Sequence, residues 1–80
     1  MQKNINLRYK YNPSDFKDEE EKYFKDWLDK MYKGYEDKDL VQFEMYRAFA
    51  TDELKCLWKS GVIAKVKADE IKEYIWGLKV

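Results

Sequence analysis

Ten carboxylates and six lysines crowd the stretch from Asp15 to Asp39, and these acids are the residues of the chain most open to chemistry. Carboxylates at such density can work as acid/base pairs, ligate a hard cation, or stand in for the phosphates of a nucleic acid. Acid/base catalysis needs two of them converging in a cleft that separates their pKa values, whereas this spacing places them on a helix exterior. The run Asp15, Asp18, Glu19, Glu20, Glu21 lacks the ligand spacing and the turn glycine of an EF-hand. No metal site is expected.

Register decides how much of the negative charge is free. Asp18–Lys22, Glu21–Lys25, Asp26–Lys30 and Asp29–Lys33 are acid-before-base pairs at i,i+4, each worth about 0.2–0.5 kcal/mol on a helix surface. The carboxylates left over gather at two helix starts, Asp15, Glu19 and Glu20 on the first helix and Glu36, Asp37 and Asp39 before the second. A helix dipole alone favours acids there, so a solvated face accounts for the pattern without a ligand. The functional alternative makes Glu19, Glu20, Glu36, Asp37 and Asp39 contacts to a basic groove.

Other chemistries lack their residues. Histidine is absent, which removes the usual partner of serine or cysteine nucleophiles and the commonest transition-metal ligand. The three glycines, at positions 34, 61 and 77, form neither a P-loop nor a dinucleotide fingerprint. One cysteine, Cys56, permits no internal disulfide and no CxxC zinc site, and reads as a small apolar residue. The expectation is a protein without enzymatic activity or cofactor.

These residues need elements to hold them. Asn4 to Tyr11 alternate, with Ile5, Leu7, Tyr9 and Tyr11 on one face, which predicts an N-terminal strand or arm over residues 1–13. Pro13 ends it, and Ser14 or Asp15 caps a helix over 15–33 that buries Phe16, Tyr23, Phe24, Trp27, Leu28 and Met31, with Gly34 as its stop. A second helix over 40–60 carries two apolar stripes. Leu40, Phe43, Ala50, Leu54, Leu57 and Trp58 form one, with Arg47 inside it, where a cation must snorkel or find a carboxylate. Val41, Met45, Ala48, Phe49 and Cys56 form the other, either sandwiched by a neighbouring helix or open to a partner.

Val62 to Lys67 read as a second short strand that pairs with the first, or as a loop anchored by Val62 and Ile63. A third helix over 68–77 buries Ala68, Ile71, Tyr74 and Ile75 and leaves Trp76 off its arc. The fold class is therefore mainly α, a compact three-helix domain spanning residues 1–80 with a short N-terminal β-strand; pairing at 62–67 would make it α+β.

Sixteen basic and sixteen acidic residues cancel, so no global field selects nucleic acid or an anionic membrane. No apolar run reaches membrane-spanning length and no leader pattern is present, which predicts a soluble, cytoplasmic protein. Met45, Phe49 and Trp76 are surplus apolar surface, the material of protein interfaces. The leading expectation is a small protein-binding module, in its narrowest form an inhibitor of a nucleic-acid-handling host enzyme of the phage or mobile-element anti-defence type. The alternatives are a DNA-binding regulator using Lys65 and Lys67, and a homodimeric assembly protein.

Overall fold

Phe16 decides where the first helix begins. In an unbroken helix Phe16 and Phe24 would stand about 12 Å apart along the axis. In the computed structural model, which describes residues 9–79, the two rings meet edge to face with centroids 4.9 Å apart. The contact requires a break. Pro13–Asp15 makes one 3₁₀ turn, Phe16 is extended (φ −116°, ψ 153°), and the chain folds back through residues 17–21. Glu21 holds that return, its Oε1 accepting from the Lys17 amide at 2.8 Å and its carbonyl from the Lys25 amide at 2.9 Å. Helix α1 is thus Lys22–Asp37 rather than 15–33, followed by α2, Leu40–Lys59, and α3, Lys65–Trp76.

Gly34 is not a stop. It lies inside α1, where an added Cβ would sit 2.7 Å from the Phe43 amide nitrogen and 3.1 Å from the Gln42 side chain. The glycine serves the close approach of two backbones. Termination falls to Lys38, whose φ of 58° is left-handed. Its amide donates to the Tyr35 carbonyl and the Asp39 amide to the Gly34 carbonyl, a Schellman closure with lysine in the position glycine usually takes. Asp39 then caps α2, accepting from the Gln42 amide at 3.1 Å. The end of α2 repeats the motif with Gly61 (φ 84°): Gly61 donates to Trp58 and Val62 to Leu57.

Among the described residues there is no strand. The expected 62–67 strand is instead the loop reading followed by a helix start. Val62 and Ile63 are half-buried against the core, and the Ala68 amide closes the first turn of α3 on the Ala64 carbonyl. Val66, which a buried strand face would have covered, is exposed. Of the N-terminal strand, residues 4–8 lie outside the described residues. The alternation itself is visible further on, with Tyr9 and Tyr11 buried and Lys10 exposed between them.

Side chains rather than a second strand hold residues 9–12. Tyr9 stacks on Tyr32 at 3.8 Å and donates to Glu36 Oε2 at 2.8 Å, and Tyr32 donates to the Tyr11 carbonyl at 2.6 Å. The Lys10 amide donates to the Tyr74 hydroxyl at 3.0 Å, with the Tyr74 ring edge-on to Tyr11. Burial pushes the Tyr32 phenol well above its ordinary pKa. The arm bridges α1 and α3, which both pack on α2. The core between them holds Phe24, Leu28, Met31, Phe43, Ala50, Leu54, Leu57, Ile71 and Ile75.

Two substitutions test this connection. Gly34→Ala is expected to lower stability by about 1–3 kcal/mol, because the obstructing atom is backbone and cannot rotate away. Lys38→Gly is expected to raise it by up to about 1 kcal/mol by relieving the left-handed strain. Urea denaturation with an unchanged m-value measures both.

Candidate functional site

Helix α2 lies against α1 along one side and α3 along another, and a third side is left uncovered. That side carries the second apolar stripe. Val41 is 76% exposed, Met45 41% and Phe49 42%, with Ala48 and Cys56 also exposed. The stripe is therefore open, although its helix has neighbours on two sides. Leu40, assigned to the buried stripe by its periodicity, is exposed at the first position of α2.

Where Trp27 of α1 meets the edge of the stripe, three rings lock together. Trp27 stacks on Tyr46 at 5.6 Å and leans on Phe49 at 5.3 Å, while Tyr46 and Phe49 meet edge to face at 5.6 Å. Beside them opens a shallow cleft of about 330 Å³ lined by Trp27, Phe49, Asp52, Glu53 and Cys56. The four α2 residues fall at i, i+3, i+4 and i+7 and so share one helix face. Neither carboxylate of the cleft makes an ion pair with any described residue. By its periodicity Trp27 belongs to the core arc of α1, and Asp52 and Glu53 fall in no motif of the sequence. The i, i+3, i+4, i+7 spacing from Phe49 to Cys56 was the available signal.

The other candidate residues are scattered. Glu19 and Glu20 are exposed in the turn before α1. Glu36 accepts the Tyr9 hydroxyl, Asp37 lies 4.0 Å from Lys33, and Asp39 is the cap of α2. The 36–39 group thus has internal duties. The ion pairs also differ from those expected. Lys22–Asp26, Lys33–Asp37 and Lys65–Asp69 run base before acid, and Lys25 reaches back to Asp18 across the turn. The late helix start moves Asp18 off α1, so its i,i+4 pairing with Lys22 is lost. The hydrogen bond and charge of Lys25 hold the Asp18 carboxyl below its ordinary pKa.

Among the described residues no three acids or thiols converge on a metal position. No helix there is long and apolar enough to cross a membrane. Lys65 is paired with Asp69 at 3.1 Å and Lys67 lies over the Tyr11 ring at 5.3 Å.

Trp76 and Arg47 account for each other. The guanidinium of Arg47 lies 4.1 Å from the Trp76 ring centre and 4.6 Å from that of Phe43. It meets two ring faces, whose negative potential takes the place of a carboxylate. Trp76, 48% exposed, donates its indole N–H to Thr51 Oγ1 at 2.7 Å. An off-arc tryptophan is in this way the clamp of α3 on α2. Arg47 Nε is buried without a hydrogen-bond partner, a desolvation cost the ring contacts offset.

No family model matches the chain, and no curated protein and no solved structure matches it.

A double-mutant cycle of Arg47→Ala and Trp76→Ala is expected to show a coupling of about 0.5–2 kcal/mol. Additive losses in chemical denaturation would mean that the two side chains act separately.

Proposed function

We propose that this chain is a small non-enzymatic protein-binding module that docks through the outer face of α2. The observation that carries the reading is the uninterrupted apolar row Val41, Met45, Ala48 and Phe49, left open on a helix whose remaining sides are already packed. An apolar row on one helix face, with aromatic rings at its centre, is the kind of surface that takes a partner helix. Arg47, Thr51 and Trp76 hold α3 in place behind it, and Gly34 draws α1 against it from the side.

The narrower reading, an inhibitor that presents carboxylates to a nucleic-acid groove, draws less support from the geometry. Glu36, Asp37 and Asp39 serve the arm, an ion pair and a helix cap respectively. Of the acids proposed for that role, Glu19 and Glu20 are the exposed pair without such duties. The apolar face therefore takes precedence as the docking surface, with the partner a protein.

Affinity capture from the native host with the wild-type chain and with Val41→Ser plus Met45→Ser tests the face. Both side chains point outward, so stability is expected to stay within about 0.5 kcal/mol. Partner recovery is expected to fall roughly tenfold or more. Undiminished recovery by the folded double variant would remove this face from the interface.

A further inference from the structure

The cleft at the end of the open face has a composition that selects its occupant. Two aromatic rings, Trp27 and Phe49, form apolar walls, Cys56 adds a thiol, and the charged groups lining the cleft, Asp52 and Glu53, are both negative. On α1 and α3 the carboxylates of Asp26, Asp37 and Asp69 pair with lysines, while Asp29, Glu70 and Glu73 make no ion pair with a described residue. Asp52 and Glu53 have no such partner among the described residues. From this juxtaposition we propose that the cleft seats a lysine or arginine side chain projecting from an amphipathic helix of a partner protein, whose apolar face lies along Val41, Met45 and Phe49. The inference rests on the protein-binding reading above.

A long basic side chain matches each part of the cleft. Its methylene stem covers the rings while its charged head stays at the carboxylates near water, and a cation beside Trp27 gains further from the ring face. A Leu or Phe would fill the apolar walls but strip water from two carboxylates without replacing it, which is costly. A second copy of this chain suits the site poorly. A two-fold contact through the cleft would set Asp52 and Glu53 against their own counterparts, and like charges facing across an interface oppose association. Charge complementarity thus favours a cationic partner helix over self-association.

Three synthetic helical peptides of about sixteen residues, long enough to hold a helix when bound, provide the test. All carry leucine on one face, flanked by lysine, glutamine or glutamate. Alkylation of Cys56 by iodoacetamide reports occupancy of the cleft, since the chain has one cysteine, and the Trp27 indole N–H resonance gives a second readout. The lysine peptide is expected to slow alkylation several-fold and to bind roughly tenfold more tightly than the glutamine peptide, with the glutamate peptide weakest. Asp52→Lys with Glu53→Lys is expected to invert that order while leaving the melting transition in place.

Equal affinity for all three peptides would overturn the basic-side-chain proposal and leave an apolar interface standing. Failure of every peptide to protect Cys56 would overturn it too. So would a sedimenting dimer in which Cys56 is protected without peptide, which would make the second copy the occupant. Failure of the wider reading has a different signature, partner capture that survives Val41→Ser plus Met45→Ser.

Discussion

The contact between the backbones of α1 and α2 at Gly34 is the constraint from which the remaining geometry follows. With no side chain at that position, the α1 backbone comes within contact distance of the Phe43 amide, and the two helices leave their connection at Lys38 nearly touching. Everything further along the pair inherits that spacing. Gln42 reaches back to the Lys30 carbonyl at 2.9 Å, Trp27 lands on Tyr46 and Phe49, and α1 covers one side of α2 without wrapping over its outer face.

Aromatic rings replace other kinds of interaction at several places. Where an N-terminal strand would have satisfied its amides on a second strand, the Lys10 amide is satisfied by a tyrosine hydroxyl. Where a half-buried arginine would have sought a carboxylate, it lies between Phe43 and Trp76. Fourteen aromatics in eighty residues make these substitutions available, and large rings suit a small domain because each buries much area for few rotatable bonds. Surface ion pairs contribute little by comparison, which explains why the fold tolerates a pairing pattern so unlike the one that i,i+4 spacing suggests.

The helices were legible in the sequence because their apolar periodicity is strong, and α2 could be bounded to within a residue. The ends of α1 were not. Propensity and capping residues favoured a start at Asp15, but the pull of Phe16 onto Phe24 is a tertiary contact that no local pattern reports. Gly34 looked like punctuation because its role depends on Phe43, nine residues on. The open stripe of α2 could be drawn from the sequence as a stripe, while its exposure depended on where α1 and α3 pack. Asp52 and Glu53 gained meaning only when Trp27 arrived from another helix to complete the cleft.

The tyrosine arm also has a kinetic meaning. The α1–α2 and α2–α3 contacts join neighbours through short turns, the local connectivity that lets helical domains fold quickly. The arm's bonds instead close large loops, Tyr9 to Glu36 and Lys10 to Tyr74 spanning 27 and 64 residues. Such closures carry the greater entropic cost, so the helical pairs can assemble first and the arm fastens last. Opening runs in reverse. The arm is thus the part expected to open first, and solvent exchange at the Lys10 amide reads that opening separately from the helices.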